Sequence, residues 1–197
     1  MIIFGLTGSI GSGKSLVADC FAHLVNAEVF DADKVVHHLY KYDSQVISFV
    51  KKYFSDSIHN NVVNKKALAK HFYSYDNLWK EFQQMMHLRV LQKQKEFIFL
   101  HNRYRSHKYL VLDVPLLIEA KFYCYCDFII HVYVSDFIRK QRLKSRNMLE
   151  AQLKFIRELQ VSESTRKKKS HFSINSGINK KGIFYQITKI LHYATCG

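Results

Sequence analysis

A segment of the form Gly-x4-Gly-Lys-Ser runs from Gly8 to Ser15, and its residue types fit the binding of phosphate. Glycines allow backbone angles that turn successive N–H groups inward around phosphate oxygens. The spacing lets Lys14 reach the β- and γ-phosphates of a nucleotide and offers the Ser15 hydroxyl to Mg²⁺. A Gly-rich turn with a nearby lysine is the alternative. Because the motif follows an apolar strand and precedes a helical repeat, the context favours a phosphate loop.

Two carboxylates, Asp31 and Asp33, stand at the end of the second predicted strand. At a strand end both side chains can face the rim of a cleft, where one positions an acceptor hydroxyl and the other accepts its proton. The alternative is an N-cap aspartate for the helix that follows. Beside a phosphate loop, the catalytic interpretation is favoured.

Arginines follow the fourth predicted strand at Arg139, Arg142 and Arg146. Arg142 and Arg146 are four residues apart and share a helix face. Guanidinium groups on a closing segment can bind phosphates and stabilise transition-state charge, whereas the alternative is a solvated basic face. The sequence has no Asn-Lys-x-Asp run that would bind guanine. A small-molecule kinase is therefore favoured over a GTPase switch.

Short apolar segments that alternate with helical repeats must position these groups. The predicted strands are residues 1–6, 27–30, 109–113, 128–134 and 172–174. Helical spacing of apolar residues begins at Lys14, and a closing amphipathic helix is predicted over 182–193. This alternation predicts an α/β sandwich with a mainly parallel sheet.

Two helical, basic segments interrupt the alternation. About 75 residues separate the second and third strands, far more than a simple crossover requires. We therefore expect three regions. The core comprises 1–33, 109–135 and 171–197, the helical substrate-binding region 34–108, and the lid 136–170.

Composition excludes several classes of protein. With 197 residues, 48% hydrophobic and 23% charged, the chain is neither disordered nor, having only seven Gly and one Pro, collagenous. It has no run of ~20 apolar residues to span a membrane and no basic leader before its first apolar run. Four scattered cysteines do not form a disulfide framework or a zinc spacing. We expect a soluble cytoplasmic protein with free thiols and no membrane partner.

The net charge of +14 attracts polyanions. Most basic residues are nevertheless dispersed, apart from the run 166–169, and no nucleic-acid-binding module is recognisable. A solvated lysine-rich surface is therefore preferred for most of them, and nucleic acid is not expected as a partner.

The chain resembles the dephospho-CoA kinase family over nearly its whole length. The most specific match is the stretch Asp-Val-Pro-Leu-Leu-Ile-Glu at 113–119, which resembles the family's Asp-x-Pro-Leu-Leu-Phe-Glu and contains the single proline. The other matches, in order along the chain, are the phosphate loop, Asp31-Ala32-Asp33, the lid arginines Arg142 and Arg146, Gln160 and Asn175-Ser176-Gly177.

The resemblance implies transfer of the γ-phosphate of ATP to the ribose 3′-hydroxyl of dephospho-CoA, giving CoA and ADP. It implies a P-loop nucleoside-phosphate-kinase-like fold of the α/β class, a three-layer sandwich whose parallel five-stranded sheet carries a helical CoA-binding insertion and a lid. ATP and Mg²⁺ are the implied cofactors, and dephospho-CoA and ATP the small-molecule partners. A monomer and a homotrimer both stay open.

The resemblance also implies a role for each matching residue. Asp33 would be the base, Lys14 would neutralise the transferred phosphoryl group, and Arg142 would close over the phosphates. The implied ATP-binding residues are Gly8, Gly11, Ser12, Gly13, Lys14, Ser15, Leu16, Arg142, Arg146 and Asn175. The implied acceptor contacts are Asp31, Asp33, Lys65, His87 and Leu117, and the implied metal-binding residues are Ser15 and Asp113.

The chain departs from the family pattern in the acceptor region. Leu88 follows His87 where the family has proline, and Lys65 stands where the family has arginine. Lysine keeps the charge but loses bidentate phosphate geometry, so we expect a weaker or rearranged CoA contact there.

The residues leave three alternatives open. Another small-molecule P-loop kinase, with a nucleotide, nucleoside or sugar acid as acceptor, is disfavoured by the stretch at 113–119. A nucleic-acid-binding protein regulated by nucleotide is disfavoured by the dispersed charge. A family member without catalysis is disfavoured because Lys14, Ser15 and Asp33 are all present.

Overall fold

A computed structural model describes residues 1–71, 76–104, 107–145 and 158–196. The chain divides into two compact units, here called the core unit (Met1–Phe30 with Leu100–Gly197) and the inserted unit (Asp31–Phe99). Within the described ranges, no helix combines the length and apolar character needed to cross a membrane.

Strands and helices alternate in the core unit, and the inserted unit adds further helices and two short strands. The strands are β1 (Ile2–Thr7), β2 (Glu28–Asp31), β3 (Ile58–His59), β4 (Val62–Val63), β5 (Tyr109–Asp113), β6 (Phe128–Tyr133) and β7 (Phe172–Asn175). The helices are α1 (Lys14–Val25), α2 (Ala32–Tyr42), α3 (Ser44–Tyr53), α4 (Lys65–His71), α5 (Asp76–Tyr104), α6 (Asp136–Lys144), α7 (Glu163–Lys169) and α8 (Lys180–Cys196).

The main sheet has five strands in the order β2-β5-β1-β6-β7. Strand β1 lies in the middle and pairs in parallel with β5, where Phe4 lies opposite Val111, and with β6, where Leu6 lies opposite Ile130. Strand β7 pairs in parallel with β6. The sequence-based prediction of a five-stranded α/β fold is confirmed, and the continuous apolar runs are the strands covered on both faces.

One face of this sheet carries the main hydrophobic core. Phe4, Ile130 and Ile174 of the strands pack against Phe21 of α1 and Ile187 of α8. Because each of these side chains is fully buried, their removal from water stabilises the core unit. It also fixes the start of α1 against the ends of the central strands.

The inserted unit contains α2 to α4 and most of α5, together with an antiparallel hairpin of β3 and β4. The sequence had predicted a mostly helical segment without this hairpin. Asn60 and Asn61 join its strands with φ of 50° and 58°. Asparagine tolerates this left-handed region, which tight hairpin turns require. Strands of two residues are too short to produce a readable alternation of polar and apolar residues.

The basic run at 166–169 is not uniformly solvated, because its first residue is buried. Arg166 is 3% exposed and pairs with two carboxylates. Its Nη2 lies 3.7 Å from Glu119 Oε1, and its Nη1 lies 3.3 Å from Glu163 Oε2. Glu119 Oε1 also accepts the Val161 N–H at 2.9 Å. Arg166 therefore joins α7 to the segment after β5.

Arg166→Ala is expected to lower the free energy of unfolding by about 3 kcal/mol, because it leaves the poorly exposed Glu119 carboxylate without its cation. Urea unfolding followed by circular dichroism measures the change. Lys168→Ala, in the same basic run but exposed, is the matched control and should change stability by less than about 0.5 kcal/mol. Equal effects of the two substitutions would contradict a structural role for the Arg166 pairs.

His131 on β6 makes stability depend on pH. It is 3% exposed, and its Nε2 lies 2.7 Å from Glu163 Oε1. Burial lowers the pKa of His131 and outweighs the opposing effect of Glu163. His131 therefore binds a proton less readily in the folded state than in the unfolded state, where the pKa of a histidine is about 6.5. The contribution of neutral, buried His131 to the free energy of unfolding is present above about pH 6.5 and is lost as the pH falls below that value.

We therefore expect the wild-type protein to lose more free energy of unfolding than His131→Gln between about pH 7.5 and pH 5. Urea unfolding at a series of pH values gives the difference. His23→Gln, an exposed histidine on α1, serves as the control and should follow the wild-type curve. A steeper acid loss in His131→Gln than in wild type would reverse the sign and contradict the argument.

Candidate active site

The predicted phosphate loop joins β1 to α1. Gly11 and Gly13 have φ of 80° and 90°, in the left-handed region that favours glycine. At Gly8 the backbone passes so close to the Val132 carbonyl oxygen that a Cβ would collide with it. Lys14 donates from Nζ to the Gly8 carbonyl at 2.9 Å. These contacts shape the loop around the amino end of α1, where unpaired N–H groups and the helix dipole favour an anion.

The structure brings the two predicted metal-binding residues into direct contact. Ser15 Oγ donates to Asp113 Oδ2 at 2.8 Å. Ser15 lies in the first turn of α1, and Asp113 is the last residue of β5 and is 8% exposed. A hydroxyl and a carboxylate are hard oxygen donors of the kind that Mg²⁺ prefers. The donor set therefore fits Mg²⁺.

Arg142 of α6 also reaches the phosphate loop. Its Nη2 donates to the Ser176 carbonyl at 2.8 Å and its Nη1 to Ser176 Oγ at 3.0 Å. A Cβ at Gly13 would lie 2.7 Å from Nη1. The guanidinium group thus lies directly beside the loop that precedes α1. Arg146, its predicted partner, falls outside the described residues.

Asn175 and Ser176 connect β7 to the phosphate loop. Asn175 Oδ1 accepts the Gly177 N–H at 2.9 Å, and Ser176 Oγ donates to the Ser12 carbonyl. Gln186 of α8 bonds both backbone groups of Asn175, at 2.9 Å to its N–H and 3.2 Å to its carbonyl. Gln186 was not predicted, because it lies outside every motif and only the packing of α8 brings it to Asn175.

Two further side chains hold the other end of the loop. Gln160 Oε1 accepts the Ile10 N–H at 3.3 Å, which places the family-like glutamine at the phosphate loop. Arg139 Nη1 donates to Ser9 Oγ at 3.4 Å, while its Nη2 pairs with Asp136 at 2.7 Å. The sequence pattern predicts no contact of Arg139 with the phosphate loop. Its contact with Ser9 adds a second guanidinium group to the loop.

A cavity of about 680 Å³ opens beside this end of the loop. Its lining residues are Ser9, His131, Tyr133, Val134, Asp136, Arg139, Glu163, Lys167 and Ser173. Its charged lining is mixed, because the cations Arg139 and Lys167 stand beside the carboxylates Asp136 and Glu163, and Arg139 is paired with Asp136.

Two other predicted residues of the core unit have more buried positions. Leu117 is fully buried, and a Cβ at Gly5 would lie 2.8 Å from its Cδ2. Leu16 is partly buried and packs against the main core. Both side chains contribute to packing next to the loop and the strand that precedes it.

The predicted acceptor residues in the inserted unit lie at helix starts and on α5. Asp31 caps α2 by accepting the Lys34 N–H at 3.0 Å, and Asp33 is exposed in the first turn of the same helix. Asp31 is thus the N-cap that the sequence had offered as an alternative. Lys65 is exposed at the first position of α4. His87 lies on α5 with much of its surface exposed. The protein near its ring still removes part of its solvation, which lowers the pKa of His87.

A family model described as dephospho-CoA kinase matches residues 2–181. The chain belongs to the dephospho-CoA kinase family. A dephospho-CoA kinase from Ehrlichia canis is 54% identical over 191 residues, which cover 97% of this chain and 95% of the relative. A dephospho-CoA kinase from Anaplasma marginale is 43% identical over 197 residues, covering 100% of this chain and 88% of the relative.

Solved structures share the fold at low sequence identity. Dephospho-CoA kinase from Campylobacter jejuni matches with a TM-score of 0.70 and 17% identity, covering 98% of this chain and 96% of that one. TT1252 from Thermus thermophilus matches with a TM-score of 0.79 and 20% identity, covering 100% and 98%. These similarities confirm the P-loop kinase fold that the dephospho-CoA kinase resemblance implied.

Proposed function

We propose that this protein transfers the γ-phosphoryl group of ATP to the ribose 3′-hydroxyl of dephospho-CoA, giving CoA and ADP. The observation that carries the proposal is the phosphate loop of a dephospho-CoA kinase family member, with Lys14 on the loop and Ser15 bonded to Asp113. Family membership supports this acceptor over the nucleotide, nucleoside or sugar-acid acceptors of other P-loop kinases.

Lys14 and the loop N–H groups bind the β- and γ-phosphates in this proposal. Lys14 exchanges its bond to the Gly8 carbonyl for phosphate oxygens and neutralises the charge that develops on the transferred group. Ser15 and Asp113 would hold Mg²⁺. When bound, the ion supplies further neutralisation of the phosphate oxygens.

Asp33 accepts the proton of the 3′-hydroxyl. The hydroxyl oxygen forms a bond to the γ-phosphorus while the bond from that phosphorus to the bridging oxygen of ADP breaks. The exposure of Asp33 in the first turn of α2 supports its role as the base, because its carboxylate is open to a ligand. Asp31 fixes the start of that helix through its N-cap bond and thereby positions Asp33.

Arg142 exchanges its bonds to Ser176 for phosphate oxygens when nucleotide binds. A planar guanidinium group binds two oxygens of one phosphate, which makes it suited to stabilise the transferring group. Its present position beside Gly13 supports this role.

We also propose that the enzyme acts in the cytoplasm, where its free cysteines, Cys20, Cys124, Cys126 and Cys196, stay reduced.

A coupled ADP-release assay with Mg·ATP tests the function. Dephospho-CoA is compared with adenosine, AMP, shikimate and gluconate, and the CoA product is identified by mass. An arm with excess EDTA measures the metal requirement. Turnover confined to dephospho-CoA and lost in EDTA is expected, whereas turnover of another acceptor alone would refute the assigned substrate and leave a P-loop kinase.

His87→Ala is expected to raise the KM for dephospho-CoA by about tenfold, as the loss of one ligand hydrogen bond does. The KM for ATP should change much less, because the phosphate loop is untouched. Steady-state kinetics with each substrate varied in turn measure the split. His59→Ala, an exposed histidine of the same unit, is the control. Equal increases in both KM values would make His87 a structural residue.

A further inference from the structure

Glu28, His101 and His107 form a cluster in the core unit that the proposed reaction does not use. Each residue offers one ligand atom, and these atoms all lie within 4.8 Å of one another. His107 Nε2 lies 3.5 Å from Glu28 Oε2, and the ring centroids of the two histidines are 5.5 Å apart.

Three separate elements supply these side chains. Glu28 is the first residue of β2, His107 stands two residues before β5, and His101 lies in the last turn of α5. Strands β2 and β5 are neighbours in the sheet. Asp113, which contacts the phosphate loop, is at the other end of β5. The strand separates the cluster from the loop by roughly 15 Å, so it is independent of the nucleotide site.

The donor types indicate a transition metal ion. Two imidazoles and one carboxylate are a common protein ligand set for Zn²⁺, whereas Mg²⁺ and Ca²⁺ prefer oxygen donors alone. Tetrahedral ligands at about 2.1 Å from Zn²⁺ are about 3.4 Å apart. The 3.5 Å separation of His107 and Glu28 already matches this value.

The cluster is also accessible to an ion. The side chains of His107 and Glu28 are 20% and 43% exposed. A cavity of about 380 Å³, lined by Met1, His101, Asn102, His107 and Lys108, adjoins the two histidines and has room for water as a fourth ligand. The Lys108 ammonium lies 5.4 Å from the centre of the Tyr109 ring, so an aromatic face helps hold this nearby charge.

The structure assigns Glu28, His101 and His107 as a binding site for a divalent transition metal ion, with Zn²⁺ as its best-matched occupant. A bound ion joins the end of α5 to the start of β2 and to the segment before β5. Because the three donors come together only in the folded chain, binding stabilises the fold.

Metal-stripped protein is titrated with Zn²⁺ by calorimetry in millimolar Mg²⁺. The Mg²⁺ occupies the oxygen donors at the phosphate loop, so that binding of Zn²⁺ there is not measured. We expect one ion at this site and an increase in Tm on Zn²⁺ addition. Glu28→Gln, His101→Gln and His107→Gln should each weaken binding at least tenfold and abolish the Tm increase. His23→Gln, an exposed histidine elsewhere, should leave both unchanged.

His192 and Cys196 provide the competing explanation, because both are exposed and His192 Nδ1 lies 3.7 Å from Cys196 Sγ. Co²⁺ absorption spectra of the wild-type protein distinguish the two sites, since only the second gives a thiolate charge-transfer band. Such a band, or Zn²⁺ binding that disappears in Cys196→Ser and persists in His107→Gln, would overturn the proposal. Absence of binding at millimolar Zn²⁺ would overturn it as well.

Discussion

Asp33→Asn is expected to lower kcat by about 10²- to 10⁴-fold, the range that loss of a general base produces. The amide keeps the size of the side chain but cannot accept the proton of the 3′-hydroxyl. Asp33 is exposed in the first turn of α2 and does not cap the helix, since Asp31 does so. The substitution should therefore leave the fold unchanged. The affinity for ATP, measured by calorimetry, should stay at the wild-type value, because the phosphate loop carries it.

Asp19→Asn is the matched control, since Asp19 is an exposed carboxylate on α1 outside the proposed site. It removes the same charge from a protein that is already strongly basic. If both variants lost activity equally, the general field of the protein would explain the effect. If Asp33→Asn turned over at the wild-type rate, Asp33 would not be the base.

The sequence predicted the parts of the fold that depend on local patterns. Strand β5 was predicted at its observed bounds, and α1 begins at Lys14 as expected. Continuous apolar runs identify strands of a parallel sheet because both faces are covered. The Gly-x4-Gly-Lys-Ser spacing likewise predicted a glycine-rich loop. In that loop Gly11 and Gly13 adopt the left-handed backbone region.

Contacts between distant segments could not be predicted in the same way. Ser15 and Asp113 were each proposed for metal binding, but their 2.8 Å contact depends on the pairing of β1 with β5. Arg166 carries the same charge as the exposed lysines that follow it, and its burial and its pairing with Glu119 and Glu163 appear only in the fold. The cluster of Glu28, His101 and His107 is likewise assembled by the fold rather than by sequence spacing.

Electrostatics at the loop lead to the second large effect. Among the residues that the structure describes, Lys14, Arg142 and Arg139 each bond a group of the loop or of Ser176 next to it. Lys14 belongs to the loop itself, whereas the arginines reach it from α6. A cation fixed to the loop is already oriented when phosphate binds, so little rearrangement is needed during transfer.

Lys14→Ala is expected to lower kcat by about 10²- to 10³-fold and to weaken ATP binding, because it removes a donor aimed at the transferred group. Lys14→Arg keeps the charge but not the compact ammonium geometry, so its kcat should also fall. Thermal unfolding should stay close to wild type in both, since Gly11 and Gly13 still set the backbone of the loop. Lys180→Ala, an exposed lysine at the start of α8, is the control and should retain activity. An unchanged kcat in Lys14→Ala would show that Lys14 does not act on the transferred phosphate, whereas a loss confined to the two Lys14 variants would show that the Lys14 ammonium itself, and not charge alone, is required.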